Sequence, residues 1–235
     1  MIRTGLVIVG LTFSLSSNAA LYDRGNGMIY DDVLDITWLQ DANYAKTSGD
    51  DVDGMLWWNA IAWVDQLVYG GFDDWRLPNL APSNGVSYDD TWAYDGSSDR
   101  GYNITSPASE LAYMFYVNLN GVAWYDTSGV GTSGANGRDD SFANGGDVND
   151  QVMIYNIVDI FAGHYWYDYE LSTDVAMAFN MGYGEQNRYY KDSDNHQRFS
   201  AWAVRDGDVS AVPVPATAWL IGSALIGLVW SRRKN

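Results

Sequence analysis

The chain has 235 residues, 47% of them hydrophobic and 15% aromatic, with 11 Trp and 17 Tyr, which is far too apolar for a disordered segment. Its formal charge is −17, and four of its 13 basic residues (Arg3, Arg232, Arg233, Lys234) are terminal, so the body sets nine basic against 30 acidic residues, a balance of −21. Such a body repels nucleic acid and anionic lipid, and the absence of cysteine excludes disulfides, thiolate metal sites and cysteine nucleophiles.

The first elements are read from residue 1. Arg3 precedes an apolar run over 5–15 that is too short to span a bilayer. Ser17-Asn18-Ala19 then offers small residues for cleavage after Ala19, so 1–19 is expected to be a signal peptide and the protein exported. The mature domain is expected over 20–209. Met28-Ile29-Tyr30 and Ile36-Thr37-Trp38-Leu39 are β-prone runs separated by acids and predict a hairpin. Residues 55–69 carry Leu56, Ala60, Trp63, Val64, Leu67 and Val68 at helical spacing. They predict a helix that Gly70 and Gly71 would cap.

Residues 80–105 form a long Ser-, Asn-, Asp- and Gly-rich loop interrupted by Tyr88, Trp92, Tyr94 and Tyr102. Ser106-Pro107 then predicts a helix start, with Leu111, Met114, Phe115 and Leu119 on its buried face. Residues 125–151 are again loop-like. Alternation over 165–170 and 175–181, and the short run 201–205, predict late strands. Helices early, strands late and long loops between them predict an α+β domain with one small antiparallel sheet.

The tail has its own pattern. Val212-Pro213-Val214-Pro215 is stiff, 216–230 carries no charge, and Arg232-Arg233-Lys234 follows. A transmembrane segment over 214–230 is expected from this run, with the basic cluster cytoplasmic.

Two stretches resemble known families. Gly70-Gly71-Phe72-Asp73-Asp74-Trp75-Arg76-Leu77-Pro78 resembles the G-G-[YF]-x-D-W-R-L-P signature of the Lcl C-terminal domain family, a bacterial domain of unknown function with a C-type-lectin-like fold. Matches from 21 to 209, including Ser109-Glu110-Leu111, Tyr165-Trp166 and Ala201-Trp202-Ala203-Val204-Arg205, fit the same resemblance. It implies a C-type-lectin-like domain with two helices and long loops, with Trp75, Arg76, Leu77, Pro78, Trp202 and Arg205 as its structural signature. The tail from 210 to 235 resembles a PEP-CTERM sorting signal, with Pro213, Pro215, Arg232 and Arg233 carrying the motif but without its glutamate. That resemblance implies exosortase-type sorting machinery as a partner and the envelope of a Gram-negative bacterium as the location.

For chemistry, His164 and His196 are the only histidines, and no H-x-x-x-H spacing or G-x-S-x-G elbow is present. Asp147, Asn149 and Asp150, and again Asp192, Asp194 and Asn195, read first as Asx-rich turns. Calcium, held by oxygen ligands at alternate loop positions, is the other reading. No other cofactor is expected. Trp92, Tyr94, Tyr102 and Tyr125, set among hydroxyl and amide residues, suit a sugar. The expected function is an exported, surface- or matrix-associated binding module for neutral glycan or exopolysaccharide. The alternative is an extracellular polysaccharide hydrolase built on a carboxylate pair.

Overall fold

The computed structural model describes residues 21–51, 53–132, 157–158, 163–191 and 197–209. The described chain is sheet-rich. One sheet has the order β1-β2-β3-β9, from β1 (Leu21–Gly25), β2 (Met28–Asp31), β3 (Ile36–Leu39) and β9 (Val204–Asp206), all antiparallel. The other has the order β4-β5-β8-β7-β6, from β4 (Trp92–Ala93), β5 (Arg100–Gly101), β6 (His164–Ser172), β7 (Val175–Asn180) and β8 (Glu185–Tyr190). Among the described strands, β4 and β5 pair in parallel and the other pairs are antiparallel. Three short helices complete it: α1 (Tyr44–Thr47), α2 (Trp57–Gln66) and α3 (Glu110–Tyr113).

This corrects the expected architecture. Two sheets replace the single small one, and three short helices replace two longer ones. Among the described residues no helix is long and apolar enough to cross a membrane. The expected segment 214–230 lies outside the described residues, as do the signal peptide 1–19 and the sorting motif with Pro213, Pro215, Arg232 and Arg233. The C-terminal transmembrane helix is therefore without support.

The expected hairpin is β2–β3, in register from Met28↔Leu39 to Asp31↔Ile36. Its turn follows from Asp31, whose Oδ1 accepts the N–H groups of Val33 and Leu34, both at 3.0 Å. All four residues of β3 are buried, because β9 covers its far edge with Trp38 opposite Val204. The 201–205 run thus joins the first sheet through its end, not the late strands.

Helix α2 stops at Gln66, earlier than the spacing suggested, because Leu67 turns extended. Gly70 and Gly71 do not cap it. Tyr69 and Phe72 exchange backbone hydrogen bonds at 3.0 Å around them, and both glycines have positive φ, 63° and 90°. That is a tight two-residue turn, whose left-handed backbone favours glycine. The second helix also starts later than expected. Ser106 Oγ accepts the N–H of Ala108 in a local turn, and α3 begins at Glu110 and continues as a π-helical turn over Met114–Asn118.

One core joins the two sheets with α2 and α3. Trp38, Trp166, Trp202, Tyr165, Tyr167, Phe115 and Phe179 are its largest fully buried side chains. Burying each contributes roughly 2–3 kcal/mol, which a chain without disulfides needs. Buried indoles also need partners for their N–H groups. Trp57, Trp166 and Trp202 donate to the carbonyls of Tyr167, Met55 and Leu39 at 2.8, 2.8 and 2.7 Å. These bonds stitch α2 and the residue before it to β6, and the segment before β9 to β3.

The signature corner is structural. Trp75 is buried and donates to the Tyr69 carbonyl, and Leu77 and Pro78 are buried beside it. Arg76 clamps three segments. Its Nη1 and Nη2 meet both oxygens of Glu110 on α3 at 2.8 Å, and Nη2 meets Asp206 on β9 at 2.6 Å. Burial disfavours the Arg76 charge, but hydrogen bonds to Glu110 and Asp206 outweigh it and raise its pKa above the ordinary arginine value. Arg205 makes the second clamp, bidentate to Asp74 at 2.8 and 2.7 Å, with its guanidinium 4.0 Å above the Phe72 ring.

Candidate functional site

The long loop from 80 to 105 keeps its shape through one buried acid. Asp99, 2% exposed, accepts the N–H of Ser83 at 2.7 Å and that of Asp89 at 2.9 Å. Its carbonyl takes the Gln186 amide of β8 at 2.7 Å. A second tie is Asn103, whose backbone is left-handed at φ 60°. Its Nδ2 donates to the carbonyls of Tyr94 at 2.7 Å and Tyr125 at 2.9 Å. One amide thus holds together two loops that are 31 residues apart at those positions.

The result is a cluster of the four rings singled out from the sequence. Tyr94 and Tyr102 stack with planes 2° apart and centroids at 5.9 Å. Trp92 stands edge-on to Tyr94 at 6.2 Å and to Tyr102 at 5.6 Å. Tyr125 closes on Tyr94 at 5.3 Å and on Tyr102 at 5.2 Å. Gly129 sits against Tyr94, where a Cβ would come within 3.0 Å of the ring. The rings therefore fill one another's gaps and leave no cage between them. Tyr102 is the buried base of the cluster, whereas Trp92, Tyr94 and Tyr125 are half-buried and turn one side outward. A flat ligand can lie across that side.

A polar strip runs beside the rings. The Tyr102 hydroxyl donates to Glu185 at 3.3 Å, and Glu185 accepts Asn187 Nδ2 at 2.7 Å. Asn187 Oδ1 accepts Arg100 Nε at 2.8 Å, and the Arg100 guanidinium lies 5.3 Å from the Trp92 ring centroid. Arg100 and Arg188 both pair with Asp90. Burial raises the Tyr102 pKa, and the Glu185 charge raises it further, so the phenol stays protonated as a donor. This chain of carboxylate, amide and guanidinium supplies both donors and acceptors at the cluster edge, the groups a polyol needs.

Asn103, Asp99, Glu185 and Asn187 escaped the sequence reading. For Asn103 the only signal was asparagine's tolerance of the left-handed backbone. For the others there was none, because their partners lie on distant segments.

The remaining candidates fall elsewhere. Tyr88 stacks on Tyr169 at 5.7 Å. His164 hydrogen-bonds Tyr189 and Asn180 and stacks on Phe199 at 4.4 Å, and burial lowers its pKa to about 4. It is a packed neutral imidazole. Among the described residues no group of three or more His, Asp or Glu side chains is placed to hold a metal ion. The calcium candidates Asp147, Asn149 and Asp150, like Asp192, Asp194, Asn195 and His196, lie outside the described residues.

Comparison with protein-family models, curated proteins and solved structures finds no match to this chain. The two family resemblances thus rest on the residues quoted for them.

Proposed function

We propose that the protein is an exported binding module that holds neutral glycan, such as exopolysaccharide matrix, across the open side of the Trp92 cluster. One observation carries this reading. Three half-buried rings, two from the 80–105 loop and one from the loop around Tyr125, share one surface beside a strip of hydroxyl, carboxylate, amide and guanidinium groups. Rings cover the apolar face of a sugar, and the strip meets its hydroxyls. The body's balance of −21 disfavours anionic chains, and both arginines at this edge are already engaged by Asp90. On the same reading, the leader over 1–19 and the sorting-type tail deliver the domain outside the cytoplasm, with exosortase-type machinery as the partner.

The test is a glycan array, then isothermal titration of the wild type and the Trp92→Ala, Tyr94→Ala double variant against the best neutral polysaccharide. The expected result is weak, nearly salt-insensitive binding that drops at least about tenfold in the variant, the loss expected for two stacking rings. Unchanged affinity in a folded variant would remove this surface as the site.

A further inference from the structure

The two arginines beside the rings, Arg100 on β5 and Arg188 on β8, share one carboxylate. Arg100 lies 5.3 Å from the Trp92 ring centroid, and its Nε donates to Asn187 at 2.8 Å. Its Nη1 is 3.7 Å from Asp90 Oδ1, too far for a hydrogen bond. That oxygen is shut off from solvent and accepts no hydrogen bond among the described residues, so charge alone ties it to Arg100. The other oxygen, Oδ2, accepts a hydrogen bond from Arg188 Nη1. No further carboxylate among the described residues pairs with either guanidinium. The nearby acids are occupied elsewhere: Asp99 by the N–H groups of Ser83 and Asp89, and Glu185 by Tyr102 and Asn187.

The backbone fixes Asp90 in this place. Asp99 binds the Asp89 N–H at 2.9 Å, and Asp89 in turn binds the Thr91 N–H at 2.9 Å. The pair is also open to a ligand. The side chains of Arg188 and Asp90 are 44% and 40% exposed. Arg188 lines a cavity of about 320 Å³ with Ser172, Val175, Tyr189 and Tyr190. That volume is at the low end of the about 300–1,000 Å³ of small-molecule sites. Two tyrosines, a hydroxyl and a guanidinium around it suit one further sugar unit. Trp92, Arg100, Asp90, Arg188 and this cavity thus follow one another along the surface.

We propose that Asp90 is the residue that makes this surface reject acidic sugars. The inference rests on the Trp92 surface being the glycan site. A carboxylate on a sugar is the group that a pair of guanidiniums binds best. Asp90 already supplies that group from within the chain, so an acidic unit must displace it or meet it as a like charge. A neutral unit faces neither cost, because its hydroxyls need only the guanidinium N–H groups that Asp90 leaves free.

The test is isothermal titration of the purified full-length protein with cellohexaose, whose flat ring faces suit aromatic side chains, and with the same oligomer oxidised to the uronate at its primary hydroxyls. The wild type is expected to bind the neutral form at least about tenfold better. In Asp90→Asn the ratio of uronate to neutral affinity should rise at least about tenfold, with uronate binding that weakens as salt rises. Adding Arg188→Gln to Asp90→Asn should cancel that rise. An Asp90 that only braced the loop would lower both affinities together and leave the ratio unmoved. An unmoved ratio in folded Asp90→Asn, or in Asp90→Ser should the first fail to fold, would overturn the proposal, as would a wild type that binds both forms equally. Failure of the site itself looks different. Neutral binding that ignores Trp92→Ala, or binding of neither form by wild type and variant, removes the surface and the role of Asp90 together. Loss in Trp92→Ala with an unmoved ratio removes the role of Asp90 alone.

Discussion

Replacing Arg76 by Met is the sharpest test of how this fold is held. The guanidinium bonds both oxygens of Glu110, the Leu77 carbonyl at 3.1 Å, and Asp206. Glu110 also accepts the Asn79 N–H at 2.6 Å, so one carboxylate fastens α3 to the corner. Methionine keeps the apolar stem but leaves Glu110, whose side chain is 11% exposed, charged and nearly buried without its cation. Breaking a buried pair from one side costs about 3–5 kcal/mol. The Arg76 side chain is 26% exposed, so the low end applies, about 3 kcal/mol. At roughly 2–4 °C per kcal/mol for a chain of this length, the melting temperature should fall by about 6–12 °C. The control is Asp206→Asn. That carboxylate is 81% exposed, and such a pair contributes under about 1 kcal/mol. Thermal and urea unfolding of both variants decides the matter. If Asp206→Asn costs as much as Arg76→Met, burial of Glu110 is not what gives the clamp its strength, and the reasoning fails.

Two further outcomes follow from buried ionisable groups. His164 has its pKa lowered from 6.5 to about 4 in the folded state, so the unfolded chain takes up this proton first. Its contribution to stability is complete above about pH 6.5 and falls as the pH drops toward 4, by up to about 3 kcal/mol. His164→Phe, which can keep the stack on Phe199, should flatten that part of the stability–pH curve, and an unchanged slope would count against the assignment. Lys191 is 1% exposed, 2.6 Å from Glu170 and over the rings of Trp57 and Trp58 at 4.8 and 4.1 Å. Removing Glu170 strands a buried ammonium, whereas Lys191→Met removes the charge and keeps the volume. Urea unfolding should therefore show Glu170→Gln to be the more destabilising by about 1 kcal/mol or more, and the reverse order would refute the account.

Local pattern was enough for the β2–β3 hairpin, for the strands around 165–170 and 175–181, and for an apolar helix after Met55. Those elements follow from alternation, helical spacing and turn residues, which act between near neighbours. The aromatic content likewise pointed to a core held by packing alone. The sequence also marked Trp92, Tyr94, Tyr102 and Tyr125 as rings in polar loops. It could not say that Asn103 would draw the Tyr94 and Tyr125 loops together, or that Tyr102 would end up as the buried base. Glycine pairs look alike in a helix cap and in a tight turn, so the Gly70-Gly71 turn became visible only with Tyr69 and Phe72 hydrogen-bonded around it. The pairing of β9 with β3 and the clamp of Arg76 on Glu110 join segments 168 and 34 residues apart, at Thr37 with Arg205 in the first case. Which distant segments meet is decided by packing of the whole core, because no local preference distinguishes one buried partner from another.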